Sequence, residues 1–286
     1  MKMKTRIIGL AVLLFGLGVS LWTACDKIAD DEILLGPEKI APKPIDEDAP
    51  IDSTLQYIVL EDFAGVGCSN CPNATTEAHV LQNQYGNQLI LIELHPEKVS
   101  MTEPYDGDVD LRSAVAQTYY DYWKGANLPT GLVNRQTDKM VSYRNWAGAV
   151  QEISAQKPVA TVNQVSAKLN GQTLSVEAAG FFHEDYAASG NINMIVMVLE
   201  DGFKVQQAKG TSVVSDYEHD HVLRATVGDE WGENIAVTPN AGERFTLAKS
   251  MAVDAAWNTD NLSVVCLLTD ADTRAVLNAA KVKVKK

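Results

Sequence analysis

The sequence predicts an α/β region followed by an all-β region, and three observations carry that prediction. Between residues 56 and 156, short apolar runs rich in β-branched residues alternate with stretches whose apolar residues recur at helical spacing. From residue 158 to residue 286, helical spacing gives way to strand-like runs separated by turn residues. The length of 286 residues suits two domains, and 46% hydrophobic with 21% charged residues is ordinary for globular protein.

In the first region, Tyr57-Ile58-Val59-Leu60 reads as a buried strand, and Ala74, Ala78, Leu81 and Tyr85 mark a helix. A strand over 88–94 ends at His95-Pro96. A loop with Pro104, Asp106, Gly107 and Asp108 leads to a helix over 111–123, with Leu111, Val115, Thr118, Tyr119 and Tyr122 near one face and Gly125 as its stop. A strand over 131–135, a turn at Thr137-Asp138, a short strand near Met140-Val141 and a helix over 142–155 complete the region. This order argues for helices packed on a mixed sheet.

In the second region seven strands are expected, over 161–169, 173–181, 192–199, 222–227, 244–251, 262–269 and 275–284. Asn170-Gly171, Ser189-Gly190, Asp201-Gly202 and Pro239-Asn240 separate them. Their number and length predict an immunoglobulin-like β-sandwich. Lys281-Val282-Lys283-Val284 reads as a solvated edge strand.

Ahead of both regions, Lys2, Lys4 and Arg6 precede an apolar run over 7–21 and then Trp22-Thr23-Ala24-Cys25. This is the pattern of an export signal over 1–24, and the run is short for a comfortable membrane span. Thr23 and Ala24 directly before Cys25 resemble a bacterial lipobox, with Trp22 where Leu is commoner. The resemblance implies cleavage before Cys25 and acylation of that cysteine; an ordinary cleaved secretory peptide is the alternative. Each buried CH₂ of an acyl chain adds ~0.8 kcal/mol of membrane affinity, so a multiply acylated cysteine anchors without a spanning helix. Residues 25–55 are acidic and proline-punctuated, which reads as an extended tether. The acidic start resembles surface-export signals of Bacteroidetes lipoproteins, and Asp52-Ser53-Thr54 resembles the O-glycosylation acceptor of that phylum. Net charge is −13, and −16 once the three basic leader residues are removed, which argues against nucleic-acid binding.

The four cysteines occupy three contexts. Cys25 is the lipidation candidate, and Cys266 lies in an apolar strand-like run as a buried, inert thiol. Cys68 and Cys71 form a Cys-x-x-Cys between the first strand and the first helix. A cysteine at a helix N-terminus has its thiolate stabilised by unpaired N–H groups and the helix dipole. In that arrangement Cys68 attacks and Cys71 resolves, since two intervening residues let the sulfurs meet with little backbone movement. Pro72 suits the first helical turn.

With these residues in place, the chain resembles the thioredoxin superfamily. Asp62 stands ahead of Cys68 at the spacing of that family's buried proton-relay acid, and Asn127-Leu128-Pro129-Thr130-Gly131 is similar to its cis-proline loop. The resemblance implies a thioredoxin-like fold for 56–156, a proton-relay role for Asp62 and a substrate-presenting role for Pro129. Gly67, where that family usually has tryptophan, and the Ser69-Asn70 dipeptide depart from it.

Other clusters weigh less. His219 and His221 would share a face of an extended strand and are metal-ligand candidates, but two ligands are too few for a closed site, and no metal is expected. His95 and His79 could serve a Cys-His hydrolase, yet no acid is grouped with them. Without a second Cys-x-x-Cys, a zinc half-site is disfavoured.

The lipobox, the acidic tether, Leu60-Glu61-Asp62-Phe63 leading into the cysteine pair, and Tyr217-Glu218-His219-Asp220-His221-Val222-Leu223-Arg224 together resemble the twenty-eight-kilodalton outer-membrane lipoprotein family of the Bacteroidetes, an Omp-type surface lipoprotein. That resemblance implies an outer-membrane location and does not imply a reaction. Two functions follow as expectations. One is a thiol-disulfide oxidoreductase acting on thiols or disulfides of envelope or surface proteins, needing no cofactor. The other is a non-enzymatic lipoprotein that binds a host or envelope partner, with the cysteines as a structural disulfide.

Overall fold

Two parallel strands joined by a helix form the unit on which the rest of the fold is assembled: β1 (Ile58–Phe63), α1 (Cys71–Tyr85) and β2 (Leu89–Leu94). The computed structural model describes residues 49–136, 139–188 and 190–286. The expected signal peptide, Cys25, the tether as far as residue 48, the Thr137-Asp138 turn and Ser189 lie outside the described residues. α2 (Ala114–Tyr122) and β3 (Thr130–Val133) follow, with β3 antiparallel to β1, and then α3 (Trp146–Ser154). The expected strand near Met140-Val141 is a single bridge, Val141 to Gly131. The helix expected over 111–123 starts later, because the Ser113 side chain caps it by accepting from the Ala116 amide.

The remaining strands are β4 (Ala160–Asn170), β5 (Thr173–Phe182), β6 (Ile192–Glu200), β7 (Phe203–Lys209), β8 (Ser212–His219), β9 (Val222–Thr226), β10 (Glu233–Asn234), β11 (Arg244–Ala252), β12 (Leu262–Asp270) and β13 (Val276–Lys283). One large sheet runs β13-β12-β6-β9-β2-β1-β3, so strands expected in two separate regions lie side by side. β4, β5 and β11 form a second sheet, and β7 pairs with β8 in a hairpin absent from the seven-strand reading. The protein is thus a mixed α/β structure, mostly strands in several sheets with few helices.

The large sheet is apolar on both faces. On one face, α2 packs over Val59, Phe63, Ile90 and Ile92, and the same cluster continues through Ile195, Met197, Val265 and Leu267. On the other, α1 and α3 cover Ile58, Leu60, Leu89 and Leu91. Further along that face, β4, β5 and β11 cover Val196, Val198, Val264 and Cys266. Burial pushes the Cys266 thiol up to about 12, which keeps it protonated and inert.

A buried ion pair locks β1 to the turn after β3. Arg135 donates from Nε and Nη2 to the two Glu61 carboxylate oxygens at 2.7 and 2.6 Å, with both side chains fully enclosed. The guanidinium also lies over Tyr119, 4.4 Å from the ring centre, and over Trp123 at 5.1 Å.

Candidate functional site

The chain leaves β1 at Phe63 and passes through Ala64 to Asn70 before α1 begins at Cys71. Cys68 therefore sits three residues ahead of the helix, with its carbonyl accepting from the Cys71 amide at 3.1 Å. The two cysteines form a disulfide, and both are 2% exposed. Leu128 packs against the pair, and the Leu128–Pro129 peptide is cis.

Two segments cover this disulfide. The Ser100–Thr102 turn lies against Gly65 and Gly67, and the Gly67 amide donates to the Met101 carbonyl at 2.8 Å. A Cβ on Gly65 would stand 2.5 Å from that carbonyl oxygen, and one on Gly67 3.2 Å away, so the approach requires small residues. The backbone contact excludes a side chain at Gly65 and crowds one at Gly67, the position ahead of Cys68.

The second cover is the β7–β8 hairpin. Amides of Ala208 and Gly210 donate to the carbonyls of Val66 and Ser69 at 2.7 and 3.1 Å. Gln207 Nε2 reaches the carbonyls of Gly65 and Cys68 at 3.2 and 3.0 Å.

Asp62 ends the helix-facing row of β1 and is 7% exposed, with Oδ1 enclosed and lacking a hydrogen-bond partner. Burial first, and the neighbouring Glu93 carboxylate second, push its carboxyl well above the usual range, so it holds its proton. Glu93 is the in-register partner of Asp62 on β2. Its Oε1 lies 2.5 Å from His95 Nε2 and 2.7 Å from His219 Nδ1. Burial opposes ionisation of Glu93, but His219 and His95 hold its carboxyl below the usual range. Half-buried Tyr217, on the same strand as His219, is pushed up to about 12 mainly by burial.

His219 and His221, weighed above as metal-ligand candidates, do not converge. β8 ends at His219 and the backbone turns at His221, whose φ is +60°. His219 goes to Glu93, whereas the His221 amide and Nδ1 meet Asp201 Oδ1 at 2.5 and 3.0 Å. His95 likewise pairs with Glu93 and is not grouped with a cysteine.

Glu93 and Gln207 were not legible as site residues. For Glu93 a signal existed, an acid inside the apolar strand Leu89-Ile90-Leu91-Ile92-Glu93-Leu94, followed by a histidine. For Gln207 none did.

The family model described as outer membrane protein Omp28 matches residues 116–286. No curated protein matches the sequence. Among solved structures, HBP35 of Porphyromonas gingivalis is similar in fold, with a TM-score of 0.62, 15% identity, and coverage of 82% of this chain and 77% of that one. Protein AGR_C_4864 from Agrobacterium tumefaciens aligns at a TM-score of 0.47 and 14% identity, over 81% of this chain and 96% of that one. A domain of the outer membrane lipoprotein Omp28 from Porphyromonas gingivalis aligns at 0.32 and 21% identity, over 45% of this chain and 89% of that one. Among the described residues, no helix is long and apolar enough to cross a membrane. With the family model spanning more than half of its length, this chain belongs to the Omp28 family of outer membrane proteins.

Proposed function

We propose that the protein is a lipoprotein, held at the outer membrane through acylated Cys25, whose Cys68–Cys71 pair exchanges disulfides with thiols of envelope or surface proteins. In this reading residues 56–156 are a thioredoxin-like domain, and 158–286 an immunoglobulin-like β-sandwich that supplies recognition or spacing. The observation that carries it is Asp62, a buried carboxyl with an unpartnered oxygen on the strand that feeds the cysteine loop. Proton transfer at the disulfide gives a use to this group, whose burial costs about 1–3 kcal/mol. Buried acids with raised pKa values cluster where protons are moved.

The oxidised pair accepts electrons as follows. A substrate thiolate attacks Cys68 Sγ, forming a mixed disulfide and breaking the Cys68–Cys71 bond. Cys71 leaves as a thiolate and takes the proton held by Asp62. A second substrate thiolate then attacks the substrate sulfur of the mixed disulfide, releasing oxidised substrate and Cys68 as a thiolate. Pro129 presents the substrate backbone, and no cofactor enters.

A second reading is favoured by the 2% exposure of both sulfurs under the hairpin: the pair is a permanent staple in a surface lipoprotein that binds a host or envelope protein. The equilibrium reduction potential of the pair, measured on the full chain in detergent with Cys68→Ser as control, separates the two. Exchange requires a value above about −230 mV, and exchange lost in the control. A value below about −300 mV without measurable exchange leaves the staple.

A further inference from the structure

Glu93 near the end of β2, His95 just beyond it and His219 at the end of β8 converge in the interior, all three buried. One ligand-capable atom from each lies within 4.8 Å of the others. Glu93 Oε1 serves both rings, meeting His95 Nε2 and His219 Nδ1, so three ligand-capable atoms already converge on one point. The other ring nitrogens, His95 Nδ1 and His219 Nε2, are turned away from that point and enclosed. Asp62 adds a second observation. Its unpartnered, buried Oδ1 sits on the strand position beside Glu93, and both residues line one small cavity of about 30 Å³.

The donor types decide which ligand fits. Two imidazoles and a carboxylate, with a carboxyl group alongside, suit a borderline divalent transition cation, whereas calcium and magnesium demand shells of oxygen. The contacts of 2.5 and 2.7 Å around Glu93 Oε1 would open to about 3.3 Å about a tetrahedral cation bonded at about 2.0–2.1 Å, a small side-chain adjustment. The adjoining cavity has room for a water to fill an open position.

We propose that Glu93, His95 and His219 bind one divalent transition-metal cation of the zinc class, with the Asp62 carboxyl beside them. Because His219 belongs to β8 and the other two ligands to β2 and its end, the cation pins the β7–β8 hairpin over the Cys68–Cys71 disulfide. The site does not depend on disulfide exchange.

The test uses the untagged full chain in detergent, with the disulfide kept oxidised so that Cys68 and Cys71 offer no thiolate. Zn²⁺ is titrated by calorimetry and counted by elemental analysis after gel filtration, and Co²⁺ replaces it for visible spectroscopy. One equivalent per chain is expected, with a rise in Tm that a chelator reverses and Co²⁺ ligand-field bands free of sulfur charge transfer. His95→Gln and His219→Gln should each weaken binding at least about tenfold. His221→Gln, whose ring faces Asp201, should leave it unchanged. Absence of stoichiometric binding to the unaltered protein, a sulfur charge-transfer band, or an undiminished equivalent in both ligand variants would overturn the proposal. The first two readouts need no variant to fold.

Discussion

Gln207 of β7 donates from Nε2 to the carbonyl of Cys68 at 3.0 Å across 139 positions of sequence, and so ties the hairpin to the residue that would be attacked. The same nitrogen lies 3.2 Å from the Gly65 carbonyl, so this side chain fastens the cover beside the backbone bonds from Ala208 and Gly210.

Gln207→Ala should loosen that cover. Removing a buried donor that serves the carbonyls of Gly65, Cys68 and Ala208 costs about 1–3 kcal/mol, or roughly 5- to 150-fold in the population of hairpin-open molecules. Reduction of the disulfide by a small thiol should accelerate by about that factor. An unchanged rate would mean that the reductant reaches the sulfurs by another route, without hairpin opening.

Asp62→Asn separates stability from proton transfer. The folded carboxyl holds its proton well above the ordinary value of 3.8, where the unfolded chain releases it. Stability from this group is therefore full below about 3.8 and is lost as pH rises through the folded pKa. Asparagine has no charge to bury, so the variant should match the parent near pH ~4 and gain on it steadily as pH rises above the folded pKa of Asp62. Urea denaturation across that range reads the difference. Disulfide exchange should fall by about a hundredfold, the usual worth of a positioned general acid. Exchange at the parent rate would remove Asp62 from the mechanism.

Arg135→Met should be among the most damaging single changes, at about 3–5 kcal/mol, because it strands the enclosed Glu61 carboxylate. Combining it with Glu61→Leu should restore most of that loss, since neither charge then remains buried. Denaturation of the two variants measures the coupling, and equal losses in both would show that the pair contributes through packing alone.

Much of the fold is legible from local pattern. The strand-to-helix junction around Cys68 and Cys71 and most strand positions follow from β-branched runs, helical spacing and turn residues. The β7–β8 hairpin is not legible, because its strands carry Lys204, Gln206, Gln207, Ser212, Ser215, Asp216 and Glu218 and so lack an apolar face strong enough to mark them. It is held instead by bonds to the cysteine loop and by Val205 packing with Val66 and Val222.

The union of the two regions was half written in the sequence. β6 and β12 are apolar almost without alternation, and such runs belong to strands covered on both faces. Met194, Val196 and Val198 face the three-stranded sheet, while Ile195, Met197 and Leu199 face the α2 side. A strand in an isolated two-layer sandwich would have left one of those rows in water.

By itself, then, the sequence determined the local elements, the position of the disulfide loop and the outer-membrane family, all of which depend on residues close together in the chain. Only the tertiary structure decided that the two regions share a sheet, that a hairpin closes over Cys68, and that Glu61 meets Arg135 and Glu93 meets His219. Those last partners are 74 and 126 positions apart. Periodicity tells which face of a strand is buried, but the partner across that face is set by strand order and register, where a shift of one residue turns every side chain to the other side.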